Sequence, residues 1–131
     1  MAETMTPPAM GTFCWTECGT RDVAAAKKFY GELIGWTLED QDMGGMTYTF
    51  IKTASGETVG GIYNMEGPQF EGVPAHWMPY ILVDNVDARC ELVKQLGGEV
   101  RMPPMDIPNY GRFAVIADPT GAVVALFQNA G

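Results

Sequence analysis

Glu17 lies inside the apolar run FCWTECGT, residues 13–20, and a carboxylate placed among such neighbours is costly to bury without a partner. If the run is a strand, Phe13, Trp15 and Glu17 share one face and Cys14, Thr16 and Cys18 the other. Glu17 can then serve as a general base, as a ligand anchor or as an acid of raised pKa. A salt bridge or a hydrogen-bonded strand end accounts for it equally well. In the second half of the chain, HWMPYIL places His76, Met78 and Tyr80 on a common strand face. Tyr80 can donate to a substrate carbonyl or to backbone, and His76 is either an acid-base group or a partly exposed strand start. Arg112 faces the same side as these residues if the DPTG hairpin pairs Ala114 with Ala125. It could then bind an anionic ligand or neutralise Glu17; a surface arginine is the alternative.

Other chemistries lack their residues. The three cysteines, Cys14, Cys18 and Cys90, form no CxxC pair, and on one strand face Cys14 and Cys18 stand about 13 Å apart, too far to bridge. That usage suits a reducing cytoplasm. With one histidine and no recognisable Cys-His-acid spacing, nucleophilic hydrolysis has little support. The glycines of GETVGG and QLGGE read as turn and cap residues, because neither GxGxxG nor GxxxxGKS occurs. Nine methionines, several near strand ends, can fill a core or make an adaptable apolar pocket.

The elements that position these groups follow from an internal repeat. Shifted by 63 positions, DVAAAKKFYGELIGW (22–36) lies on NVDARCELVKQLGGE (85–99), matching Val23 with Val86, Leu33 with Leu96 and Gly35 with Gly98. Both segments carry helical apolar spacing: Val23, Ala26, Phe29, Tyr30, Leu33 and Val86, Cys90, Leu92, Val93, Leu96. Asp22 and Asn85 are N-cap residues, and Gly35 and Gly97-Gly98 supply the left-handed stop. Shifted by 65, MTYTFIKTASGETVGGIYN (46–64) lies on GRFAVIADPTGAVVALFQN (111–129), matching Gly56 with Gly121, Val59 with Val124 and Asn64 with Asn129. Each reads as strand, tight turn, strand. Strands are also expected over 12–18, 36–39, 76–83 and 99–102. The unit is therefore β-α-β-β-β, twice: module one over 11–65, a Pro/Gly-rich connector over 66–75 and module two over 76–129. Residues 1–10 are expected to be a flexible tail, and 11–131 a single domain.

Sixteen acidic against eight basic residues give a net charge of −8 with no basic cluster, which disfavours nucleic acid and anionic membrane surfaces as partners. No apolar run approaches the roughly 20 residues of a membrane span, and the N-terminus does not resemble a secretory leader.

With its AAAKKFYGELIGW helix, its CWTE and HWMPY segments and its ADPTGAVVALFQ hairpin, the chain resembles the vicinal oxygen chelate superfamily, which includes glyoxalase I, bleomycin-resistance proteins and extradiol dioxygenases. The likeness runs from Thr12 to Asn129. It implies an α+β fold in which two βαβββ modules form an open, U-shaped mixed sheet around a cavity, with the face of Trp15 turned inward. It also implies four metal-ligand positions, which fall here on Trp15, Gly60, Met78 and Ala125. None offers an oxygen or imidazole donor, so the expectation is a protein without metal or other cofactor. Trp15, Glu17, His76, Met78, Tyr80 and Arg112 are the residues expected around a small organic ligand, with no catalytic residue assigned. The resemblance implies ligand binding in the manner of drug-sequestering members, and a homodimer. The alternative is a metal-independent lyase, isomerase or hydroxylase using Glu17 as base. A third reading makes the chain half of a larger catalytic assembly.

Overall fold

In a computed structural model, residues 9–130 are described; residues 1–8 of the expected tail lie outside them. The chain order is β1 (Phe13–Thr20), α1 (Val23–Ile34), β2 (Thr37–Asp42), β3 (Thr47–Lys52), β4 (Thr58–Asn64), a 3-10 turn (Pro68–Phe70), β5 (His76–Leu82), α2 (Val86–Gln95), β6 (Glu99–Ile107), β7 (Gly111–Ala117) and β8 (Val123–Asn129). This is an α+β fold with the β-α-β-β-β unit repeated. The described residues divide into two compact units: Trp15–Met78, and residues 79–130 together with residues 9–14.

Both helices start and stop where the sequence dictates. Asp22 accepts from the Ala25 amide at 3.0 Å and Asn85 from the Ala88 amide at 2.9 Å, each satisfying an orphan N–H of a first turn. Gly35 ends α1 with φ 87°, and Gly97 follows the end of α2 with φ 90°, values that favour glycine.

In the first module the strands pair in the order β2-β3-β4-β1, and in the second β6-β7-β8-β5. The β1–β4 and β5–β8 ladders are parallel and the rest antiparallel. β2 and β6 are edges, so the sheet is mixed and unclosed. β6 runs to Ile107, well beyond the expected Met102, and carries Pro103 and Pro104. Its ladder with β7 skips twice between Val100 and Met105, the irregularity expected where prolines sit in an edge strand.

The repeat is displaced by one residue in its last strand. The β3–β4 ladder shifts register between Ile51 and Lys52, with Ile51 opposite Gly60 and Lys52 opposite Thr58. The β7–β8 ladder has no such step, pairing Ile116 with Val124 and Ala117 with Val123. Val59 is thus a bulge residue without a counterpart. Gly60 corresponds to Val124, and Gly61 to Ala125. The matches of Val59 with Val124, Gly60 with Ala125 and Asn64 with Asn129 do not hold.

Each helix covers a core of its own. Cys18, Ile51 and Ile62 are buried beneath Val23, Ala26, Trp36 and Leu38; Val83, Val86, Cys90, Ala114 and Leu126 form the second cluster. The apolar stripe of α1 is wider than the surface it covers. Phe29 and Leu33, which the helical spacing assigned to the buried face, are 57% and 64% exposed, and Ile34 is 51% exposed.

Candidate functional site: Glu17 and its aromatic surround

The face that carries Glu17 is fixed by what lies behind it. In TYTFIK of β3, Thr49 and Ile51 are buried, so Tyr48 and Phe50 project from the opposite face. In β1, Cys18 points into the same core as Ile51, which turns Trp15 and Glu17 to the side of Tyr48 and Phe50. Glu17 pairs with Gly61 across the β1–β4 ladder, and Gly61 with Phe50 across β3–β4.

These residues form a hydrogen-bonded chain. The Trp15 indole Nε1–H donates to Tyr48 Oη at 3.0 Å, and the Tyr48 hydroxyl donates to Glu17 Oε2 at 2.6 Å. Phe50 braces both rings edge-on, with centroids 6.2 Å from Trp15 and 5.0 Å from Tyr48. Burial, reinforced by the Glu17 charge and hydrogen bond, drives the Tyr48 phenol far above its ordinary range. Burial and then Glu17 raise Tyr63 to about 12, and they also push the Cys18 thiol up. After burial, the Glu17 charge is the next cause of all three shifts. Tyr48, unmarked in the sequence, belongs to the cluster, as does Gly61, which lies within β4 and is not the turn or cap residue expected of the GETVGG glycines. The alternation in TYTFIK could have placed Tyr48, but assigning its face required knowing which side of β3 is core.

Of the other expected site residues, His76 and Met78 lie in the same unit as this cluster, and Tyr80 and Arg112 in the other. His76 Nδ1 lies 2.9 Å from the Pro74 carbonyl, so Nδ1 carries the proton and donates. Met78 is half-buried on β5. Tyr80 belongs to the other unit, 7% exposed, with its ring 6.1 Å from Phe113 and 6.5 Å from Phe127, and its carbonyl accepts from Cys14 Sγ at 3.6 Å. Arg112 contradicts the expected inward orientation. Its guanidinium bonds both oxygens of Asp87 on α2, at 2.7 and 2.9 Å, and Asp106 at 2.9 Å. Ala114 pairs with Leu126, and Val115 with Ala125; this slip of one residue moves Arg112 to the helix-covered face.

The donor set does not fit a divalent metal. Beside Glu17 in its own unit stand the Trp15 indole, the protonated Tyr48 phenol and the Phe50 ring, none of them a customary ligand for a divalent cation. The expected ligand position Gly60 faces the core, since a Cβ there would meet Thr16 O and Ile51 Cδ1, and Gly61, which takes its place, has no donor either. Among the described residues no three His, Cys, Asp or Glu side chains gather as a metal site, and no helix is long and apolar enough to cross a membrane.

Comparison with known proteins agrees with this architecture. The model of the Glyoxalase/Bleomycin resistance protein/Dioxygenase superfamily matches residues 13–126, and the chain belongs to that superfamily. It is 45% identical over 120 residues to CFP32 of Mycobacterium bovis, whose name assigns it provisionally to the glyoxylases; the match covers 90% of this chain and 46% of that protein. It is 38% identical over 138 residues to the anthracycline biosynthesis protein DnrV of Streptomyces peucetius, covering 95% and 49%. The chain thus spans about half the length of the curated relatives it matches. Among solved structures, a methylmalonyl-CoA epimerase of Streptomyces coelicolor in complex with 2-nitronate-propionyl-CoA superposes with a TM-score of 0.62 at 15% identity, over 94% of this chain and 100% of that one, a likeness of fold.

Proposed function

We propose that this chain binds a small organic molecule without a metal, through Glu17 and the aromatic groups beside it. The observation that carries the reading is the Tyr48–Glu17 contact of 2.6 Å, itself backed by the Trp15 indole. A carboxylate that accepts from a phenol and is bordered by flat rings suits a planar ligand that donates an O–H or N–H. The name of DnrV associates a similar chain with anthracycline biosynthesis, and that of CFP32 with glyoxylases; both are consistent with an organic ligand. The second reading is an enzyme that uses Glu17 as base in a lyase, isomerase or hydroxylase reaction. It is favoured by the same half-buried carboxylate, since an acceptor held in place beside a ligand can also take its proton.

The working form in this proposal is a homodimer in the reducing cytoplasm. The exposed Phe29, Leu33 and Ile34 support an apolar contact surface, and the relatives' doubled length supports two such chains acting together. Native mass spectrometry of protein purified from a cell extract tests the proposal. A dimer carrying an organic adduct is expected, with the adduct lost from Glu17→Gln. Equal adduct on a folded Glu17→Gln variant would overturn the role of Glu17, and monomer alone would overturn the assembly.

A further inference from the structure

We propose that Tyr48 is a positioning residue that holds the Glu17 carboxylate in one orientation as an acceptor, and that position 61 is glycine so that the Tyr48 phenol can lie there. The proposal rests on the reading of Glu17 as the ligand-binding group and adds the residues that set its geometry.

The direction of the hydrogen-bond chain is fixed by its first member. An indole N–H can only donate, so at 3.0 Å Tyr48 Oη is the acceptor. The single phenol proton is then directed to Glu17 Oε2 at 2.6 Å. A bond of that length to a carboxylate is among the stronger kinds available to a side chain, and successive bonds polarise one another. Swinging the phenol away would break both of these hydrogen bonds together.

Gly61 makes room for this arrangement. A Cβ at position 61 would lie 1.9 Å from Tyr48 Oη, 2.2 Å from Cζ and 2.3 Å from Cε2. Gly61 is not among the glycines with positive φ, so its backbone conformation makes no demand for glycine. The close approach of the ring does. Gly61 is also the ladder partner of Glu17, which places the clearance directly beside the carboxylate. Titratable groups of this unit on which the Glu17 charge bears include Tyr48 on β3, Tyr63 on β4 and Cys18 on β1. Of these, Tyr48 donates a hydrogen bond to the carboxylate.

Carboxyl-detected NMR on full-length protein labelled at glutamate tests the proposal. The Glu17 resonance is expected to titrate at higher pH in Tyr48→Phe than in the unsubstituted protein, because a donor to the ionised form has been removed. Gly61→Ala is expected to shift it the same way, with the other carboxyls unmoved in both. A general loosening of the fold would instead move many resonances. An unchanged Glu17 titration in folded Tyr48→Phe would overturn the proposal. A measurement on the unsubstituted protein does not depend on the variants folding: the Trp15 indole N–H resonance should follow the Glu17 titration, and an indole that ignores it would overturn the proposal as well. Ligand binding that survives Glu17→Gln would remove the binding role of Glu17 and leave the coupling to Tyr48 standing.

Discussion

A phenol that accepts from an indole and donates to a carboxylate has committed its only proton, and losing it to base would set two negative charges side by side. Tyr48 is in that position, and Tyr63 is held up to about 12 by burial and then by Glu17. In the unfolded chain both phenols ionise near 10.0. From there to about 12 the unfolded state gives up protons that the folded state keeps. The folded state then binds more protons, so stability is fully present below the unfolded value and falls as pH rises. Chemical denaturation midpoints are therefore expected to drop across this window, and to drop less steeply in Tyr63→Phe. A midpoint that stays flat in the unsubstituted protein would contradict the burial and charge assigned to these residues.

At the scale of elements, the sequence exposes what is local and conceals what depends on register. The caps Asp22 and Asn85 and the stops Gly35 and Gly97 are legible because one residue's chemistry decides each. The faces of β1 follow from alternation alone, and Trp15 and Glu17 share the side on which both meet Tyr48. The Val59 bulge left no mark in VGGIYN, and counting through it displaced the repeat of β4 on β8 by one. The assignment of Arg112 failed for the related reason that a hairpin's pairing is a tertiary choice, and one step exchanges its two faces. The helical spacing of Phe29 and Leu33 is real, but spacing cannot report how wide a surface the helix has to cover. Because Arg112 pairs with Asp87 and Asp106, Arg112→Ala is expected to leave ligand affinity unchanged and to lower the melting temperature by a few degrees at most, as exposed ion pairs contribute little. A marked loss of affinity in a folded Arg112→Ala protein would place the guanidinium back in the site.

For the molecule as a whole, the superfamily's fold is present, and the proposed function gives its Glu17 carboxylate the part of accepting from a donor on the ligand. The most direct test compares two flat probes of nearly the same size, 2-naphthol, which donates an O–H, and 2-methoxynaphthalene, which does not. A hydrogen bond to a charged group contributes about 1.5–3 kcal/mol, or roughly tenfold and more in affinity. Isothermal titration calorimetry should find 2-naphthol bound at least about tenfold more tightly than its methyl ether, with the difference abolished in Glu17→Gln. Equal affinity for the two probes, or a preference for 2-naphthol that survives in folded Glu17→Gln, would contradict the account.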